Sequence, residues 1–594
     1  MSDAPPAPPS GFTIYDSYTI DPLYAHYFTY TAISLLALAA TFNLLGLFQS
    51  IRSHTLFHRL ALTGFTYTTH AFHPLPDPDR SSTSSPSRPP LAFLLYLEAI
   101  SNKLLLWSPS LSLGSLTFST SLTTANILMI LTIPIIVLST LLPNSDLSQN
   151  ANRAGFIALA TIPWLFLLGG KSTGLSTLIG KSYDQLNFLH RYLGRFTLGL
   201  ILVHFGIWTK QFFSYGRTYG NQMMLQPKSL KGIMSLCFLI LLSIPSISWI
   251  RHQPIFGWRI FKFFHVIGFI GLMIGINMHT IYAWPWTVGV IVIYAVDVSS
   301  RAFRYRFKRV QIDALEGGIT RLRIEAVTNG WRAGQHIRLR LFFPIPIHAR
   351  KSWTFNTLWR LARPLESHPL TIAHAPASTS VAGCNGEAVL LCRAGSSGGW
   401  ASDVYAAAST RKGMSVSGLV DGPYGGLPTH TDLAQHAHLL LVIGGSGMSF
   451  GVATLDEAVS LRSSRGIETI SVIWCVRDSA VVGAYLPMLE SIIRSSAPIR
   501  VQLTIHLSQD SETDWAEKSD VVSVLIGRCS IADAVCTWIE PDLKDGRDIG
   551  GGRTVVVCGP NQMVAEVRNT VARVPIKTFV ESGGISVYSE QFAL

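Results

Sequence analysis

HRYLGRFTLGLILVH (residues 190–204) and HVIGFIGLMIGINMH (residues 265–279) decide how the rest of the chain is read. Each begins and ends on histidine inside an apolar run long enough to cross a bilayer. At about 100° per residue, fourteen steps return the second histidine to within about 40° of the first, and at about 1.5 Å rise it lies roughly 21 Å further along the axis. Two such helices running parallel offer two opposed His–His pairs at two depths. A flat iron macrocycle with two axial imidazoles fits each pair. A single histidine in an apolar helix is more often packed or hydrogen-bonded than a ligand. Ionisable groups in lipid are costly, however, and the same spacing recurs in two spans. His190, His204, His265 and His279 are therefore read as metal ligands of two haems.

The chain has 594 residues, of which 48% are hydrophobic and only 14% charged, the balance of a membrane protein with soluble parts. Its formal net charge of +12 comes without a basic, aromatic-interleaved patch, so no nucleic-acid partner is expected. Apolar runs lie at 28–50, 122–143, 154–170, 187–209, 231–250, 263–283 and 286–300, which makes about seven spans, with lipid as partner. Arg52/Arg59, Lys171/Lys181, Arg251/Arg259/Lys262 and Arg301/Arg304/Arg306/Lys308/Arg309 follow alternate spans and mark the cytosolic side. The N-terminal tail is then outside, everything beyond Arg301 inside, and both histidine helices run outward. Lys210, Arg217 and Lys228 fall in an outer loop against this bias. His190 and His265 share the inner level, and His204 and His279 the outer. Two haems stacked in this way make an electron path, and a negative interior helps an electron outward by roughly 2.3 kcal/mol per 100 mV. Residues 75–90 read as a flexible cytosolic loop. Segment 91–107 carries Glu98 and Lys103 and reads as an interfacial helix rather than an eighth span. The start MSDAPPAPPSGF has no basic region leading into an apolar core, so no cleaved signal peptide is expected. Cys237, Cys384, Cys392, Cys475, Cys529, Cys536 and Cys558 contain no CxxC, which predicts neither a zinc site nor a disulfide framework, and six of them follow Arg301, as suits a reducing cytosol.

Beyond Arg301 the pattern changes to strands. IRLRLFF places Ile337, Leu339 and Leu341 on one side, and further strand-like runs at 387–393 and 414–420 predict a small barrel over roughly 305–425. Inside it lie HPLTIAHAP (residues 368–376), the Gly-rich turn SGGWASDVY (residues 397–405) and DGPYGG (residues 421–426). The turn before Trp400 leads into a short helix whose free N–H groups suit a pyrophosphate, although an ordinary Gly turn reads equally well. From 438 the order is buried strand, then Gly444, Gly445 and Gly447, then amphipathic helix, a phosphate-cradling arrangement that departs from GxGxxG by one residue. Arg477 ends the next strand, where a ribose 2′-phosphate is read, and Asp478 beside it keeps NAD open as well as NADP. Cys558, Gly559 and Pro560 end a later strand at the edge where open α/β sheets bind ligands.

Together these pieces resemble the fungal plasma-membrane ferric reductases, relatives of the NADPH oxidases, over roughly residues 120–594. The resemblance rests on the order of the paired histidine helices, His368-Pro369-Leu370-Thr371, GPYG, GGSG, WCVRD, CGP with Met563, and an acidic-aromatic tail. It implies a membrane α-helical bundle followed by a ferredoxin-reductase-like module. The domains would be an extracytoplasmic tail (1–24), a transmembrane haem domain (25–300), an FAD-binding β-barrel (301–430) and an NADP-binding α/β domain (431–594). It implies two b-type haems on the four histidines. It places FAD on His368, Pro369, Leu370, Thr371, Gly399, Trp400, Gly422, Pro423, Tyr424 and Gly425, with Thr371 beside the flavin ring. NADPH falls to Gly444, Gly445, Gly447, Arg477, Cys558, Gly559 and Pro560, with Cys558 by the nicotinamide; Thr371 and Cys558 are the catalytic candidates. Leu370 stands where relatives carry Phe, and the chain ends SEQFAL where relatives often end on an aromatic, so that either Phe592 covers the flavin or Leu594 leaves that face less shielded. The implied activity is electron transfer from cytosolic NADPH to an extracellular ferric or cupric chelate at the plasma membrane, with a multicopper oxidase and iron permease downstream. Three alternatives stand beside it: a superoxide-producing NADPH oxidase, a His-lined transporter or channel with a nucleotide sensor, and a membrane-anchored flavoprotein.

Overall fold

The computed structural model describes residues 17–44, 92–113, 116–119, 122–253, 257–327, 330–342, 366–376, 379–384, 386–395, 399–427, 433, 436–460, 466–509, 522–540 and 551–590. The expected loop at 75–90 and Phe592 lie outside the described residues. The chain divides into two units, 1–60 with 128–302, and 61–127 with 303–594.

Among the described residues of the first unit, seven helices are long and apolar enough to cross a membrane. They are α1 (Ser17–Phe42), α3 (Thr124–Leu141), α4 (Ala151–Gly169), α5 (Tyr183–Ser214), α6 (Pro227–Ser243), α7 (Gly257–His279) and α8 (Trp284–Ala302). α2 (Ala92–Leu105) precedes α3 and belongs to the second unit. Ser182 and Gln185 form a capping box that starts α5. Small residues on α7 let α6 approach closely. A Cβ at Gly268 would stand 2.7 Å from Leu242 Cβ, and one at Gly275 would stand 2.5 Å from Ser235 Oγ. α1 begins at Ser17, ahead of the apolar run at 28–50. Asp21 on this helix is wholly buried. Arg153 Nε donates to its Oδ1 at 2.6 Å, Asn150 Nδ2 donates to the same oxygen at 3.0 Å, and the guanidinium lies over the Tyr24 ring.

In the second unit, β1 (Arg306–Leu315), β2 (Ile319–Glu325), β3 (Gln335–Phe342), β4 (His368–Thr371), β5 (Glu387–Arg393) and β6 (Met414–Gly425) form an antiparallel sheet in the order β4-β3-β6-β1-β2-β5. An Ile372–Leu390 bridge joins its two edges and closes it into a barrel. Alternation drives this closure: Ile337, Leu339 and Leu341 face inward and are completely buried with Val310, Ile312 and Leu322. Helix α9 (Trp400–Thr410) packs on the barrel through Trp400 and Val404.

An all-parallel sheet follows, ordered β10-β9-β8-β7-β11-β12, from β7 (His438–Gly444), β8 (Thr469–Val476), β9 (Arg500–Leu507), β10 (Val522–Ile526), β11 (Arg553–Cys558) and β12 (Ile585–Glu590). Strands covered on both faces read as unbroken apolar runs, and β7 does. Its Leu439, Leu441 and Ile443 pack against α10 (Met448–Ser460) and α11 (Ser479–Arg494). Leu440 and Val442 face α12 (Ile531–Ile539), α13 (Asn561–Arg573) and α14 (Ile576–Glu581). Ala99 of α2 joins that second cluster, so one face of the expected interfacial helix is held by protein. The barrel and the α/β lobe share an apolar cluster that includes Ile319, Ala373 and Leu391 from the barrel. On α10, Asp456 accepts from Ala375 N at 2.8 Å, Val381 N at 2.8 Å and Ser380 Oγ at 2.6 Å.

Candidate functional site

α5 and α7 bring their histidines together in two facing pairs. The ring centroids of His190 and His265 are 6.3 Å apart and those of His204 and His279 are 6.4 Å apart, with ring planes at 58° and 82°. Two metal–imidazole bonds of about 2 Å, plus about 1.1 Å from each ligating nitrogen to its ring centre, call for centroids roughly 6.3 Å apart. Each Nδ1 lies on a backbone carbonyl: His190 on Leu165 O at 2.9 Å, His204 on Ala151 O at 2.8 Å, His265 on Leu242 O at 3.3 Å and His279 on Lys228 O at 2.9 Å. The N–H donated there fixes one tautomer and leaves Nε2 with its lone pair for a metal. Two imidazoles alone do not complete a metal site, and a flat macrocycle that brings its own ring donors would fit between each pair. Among the described residues, no group of three or more His, Cys, Asp or Glu gathers for a metal held by protein alone.

Sequence reasoning missed the glycines that make room for these rings. A Cβ at Gly155 would stand 3.0 Å from His204 Nδ1, one at Gly169 would stand 3.0 Å from His190 Nδ1, and one at Gly232 would stand 2.8 Å from His279 Cε1. Helical glycines on neighbouring spans were the available signal, since glycine costs helix stability and its presence there calls for a packing reason.

On the barrel, strand order unites two motifs far apart in sequence. β3 lies between β4 and β6, so His336 pairs with Thr371 on one side and with Tyr424 on the other. His336, buried at 7% exposure, is a residue the sequence reading passed over inside GQHIRL. Tyr424 OH donates to Asp421 Oδ1 at 2.6 Å, and Gly425 abuts the His336 ring. Gly422 and Gly425 both take positive φ, which a side chain would resist. His368 stacks on Trp400 with centroids 4.3 Å apart, bringing Gly399, the residue before α9, to the same end of the barrel. Pro369 is exposed, while Leu370 packs against the barrel core.

On the α/β lobe, β7 and β11 are neighbours whose chain connections leave in opposite directions, which opens a crevice at their C-terminal ends. The Gly445–Gly447 turn and the segment Cys558, Gly559 and Pro560 meet there. A Cβ at Gly447 would stand 3.0 Å from both Sγ and O of Cys558, and one at Gly444 would stand 2.7 Å from Pro560 Cδ. Trp474 Nε1 holds Gly445 O at 3.1 Å, a support the sequence reading did not include. Cys558 is fully buried, and burial reinforced by the Glu590 carboxylate pushes its thiol well up, so it is a neutral thiol. Arg477 is exposed at the end of β8. Asp478 caps α11 by accepting from Ala480 N at 2.9 Å. Tyr588 OH donates to Gly426 O at 3.2 Å, so the strand beside Cys558 meets the turn that ends β6.

Helices fit to span a bilayer, joined in one chain to an antiparallel barrel and a parallel α/β lobe, define a membrane protein with a ferredoxin-reductase-like module. Residues 154–276 match the family described as ferric reductase like transmembrane component, and residues 436–525 match the ferric reductase NAD binding domain. The first match takes in His190, His204 and His265 and stops short of His279. Ferric/cupric reductase transmembrane component 2 of Saccharomyces cerevisiae is 22% identical over 457 residues, 71% of this chain and 59% of its own length. The probable cell surface ferric reductase kap2 of Aspergillus oryzae is 24% identical over 377 residues, 59% of this chain and 46% of its own. Probable metalloreductase AIM14 of Clavispora lusitaniae is 23% identical over 508 residues, 75% of this chain and 83% of its own. The resemblance read from the motifs is thus the one the comparisons find: the relatives are fungal ferric and cupric reductases.

Proposed function

We propose that the chain is a transmembrane reductase that oxidises NADPH on the cytosolic side and delivers electrons to an extracellular ferric or cupric chelate. FAD and two b-type haems are its resident cofactors. The observation that carries this reading is two pairs of facing imidazoles, with ring centroids 6.3 and 6.4 Å apart and each ring anchored through Nδ1 on a backbone carbonyl. When bound, the flavin converts a hydride into single electrons and the haems carry single electrons between the membrane faces. The protein supplies binding and orientation. His190 with His265 holds the inner haem, and His204 with His279 the outer. With two imidazoles committed at each level, the external acceptor would be served without forming a bond to the metal. Thr371, His336 and Tyr424 form the flavin wall. The Gly444–Gly447 loop admits the pyrophosphate at the start of α10. Arg477 reads the 2′-phosphate, and Asp478, engaged as a helix cap, leaves the choice to the arginine. The neutral thiol of Cys558 acts as a compact, uncharged floor for the nicotinamide. The plasma membrane, with the His204/His279 level outermost, is the setting, upstream of a multicopper oxidase and iron permease.

The test is a reduced-minus-oxidised spectrum of purified full-length protein with NADPH, scored with and without external ferric chelate. A b-type α band that NADPH generates and the chelate bleaches is expected. His204→Ala and His279→Ala should lose chelate reduction while keeping NADPH oxidation by a soluble dye. A protein without a Soret band would sink the reading in favour of a channel or transporter. Superoxide release without chelate reduction would move it to the oxidases.

A further inference from the structure

We propose that α2 is a two-faced strap: one face clamps the α/β lobe and the opposite face lies in the surface of the lipid bilayer. The clamping face is explicit. Leu95 and Ala99 are buried, and Asn102 Nδ2 donates to Ile585 O at 2.9 Å. Just past the helix, Ser108 and Asn569 of α13 exchange two bonds, Ser108 N to Oδ1 at 2.7 Å and Nδ2 to Ser108 O at 3.0 Å. On an α-helix, residues 93, 97, 100 and 104 fall within about 60° of one another, on the side away from 95, 99 and 102. Those positions are Phe93, Leu97, Ile100 and Leu104, exposed by 67, 48, 44 and 62%. Trp107 continues the stripe at 45%. A stripe this apolar on an element already docked by its other face needs a second covering.

The occupant follows from where the helix ends. Trp107 O accepts from Thr124 N at 2.8 Å and from Thr124 Oγ1 at 3.0 Å. Thr124 is the first residue of α3, a helix long and apolar enough to cross a membrane. The apolar stripe therefore ends one hydrogen bond from the first residue of a helix fit to cross a bilayer. At about 1.5 Å per residue, the 14 residues of α2 reach only about 20 Å, short of the ~30 Å of a hydrocarbon core, so the helix lies along the surface. Trp107 and Lys103 suit that level, one as an interfacial aromatic and the other with its stem along the apolar side and its ammonium in water. Glu98 sits on the lobe side near Gly584, away from the stripe.

The test places the photo-crosslinking residue p-benzoylphenylalanine at Leu97, Leu104 or, as control, exposed Lys577 of α14, in full-length protein in phosphatidylcholine–phosphatidylserine nanodiscs. Lipid adducts by mass spectrometry are expected at Leu97 and Leu104 and not at Lys577. Adducts to a second copy, adducts to another segment of the same chain, or no lipid adduct at either position would overturn the proposal. Independently, the double variant Leu97→Glu/Leu104→Glu in nanodiscs should raise amide exchange across 92–107 by about tenfold while α13 keeps its protection. Unchanged exchange would overturn it too.

Discussion

Gly447 and Cys558 are 111 positions apart and touch. The glycine is legible as part of a phosphate loop; its contact with the cysteine is not, because nothing local to either residue encodes it. A methyl group at 447 would stand 3.0 Å from the sulfur and from the backbone oxygen, so either the loop or β11 has to give. On the proposed function, Gly447→Ala should lower kcat/KM for the nicotinamide cofactor by about tenfold, close to 1.4 kcal/mol, measured with a soluble dye as electron acceptor. Cys558→Ala empties the space beneath, and the double variant should recover part of the Gly447→Ala loss. Strictly additive losses would mean that the sulfur is not what the added methyl meets.

At the scale of elements, the histidine helices were readable because a helical period places residues fourteen apart on one face. α1 starts ahead of the apolar run at 28–50 and carries Asp21, a carboxylate that burial allows only with a partner. Arg153 is that partner, and it also donates through Nη1 to Thr140 O and Pro143 O, each at 3.1 Å. Breaking such a pair leaves a buried guanidinium uncompensated, at a cost of about 3–5 kcal/mol. Asp21→Ala should therefore lower the thermal midpoint of the membrane unit markedly, followed by loss of helical circular dichroism in detergent. Asp21→Asn, which keeps an oxygen for Arg153 Nε and Asn150, should cost less. Equal midpoints for Asp21→Ala and the parent would show that the pair does not hold α1. α2 is the second element read in part: its apolar character was plain, but not that opposite faces serve different partners.

Across the whole molecule, the second unit buries several histidines in neutral form. His374 donates through Nδ1 to Ala375 O at 2.6 Å and accepts from Val389 N at 3.1 Å through Nε2, so both ring nitrogens are committed. Burial lowers its pKa, outweighing the backbone bonds and Asp456, and burial also lowers those of His436 and His438. The unfolded chain then binds more protons than the folded one below the ordinary histidine value of about 6.5. The stabilisation is present above that pH and is lost as pH falls through the lowered folded-state values. The urea midpoint of the second unit should drop between pH 7.5 and 5.5, and His374→Gln should flatten that dependence. A midpoint independent of pH over this range would contradict neutral burial.

The sequence by itself determined what repeats along a single element: two pairs of histidines in helical phase, inward alternation in the barrel strands, glycines between a buried strand and a helix. Backbone geometry sets those periods, so they are written locally. Only the tertiary structure decided which groups meet across the chain: Asp21 with Arg153, His336 between Thr371 and Tyr424, Gly447 on Cys558, α2 on the α/β lobe. Such meetings depend on how whole faces pack and on which buried polar group finds a partner, and no window of sequence contains both sides of that contact.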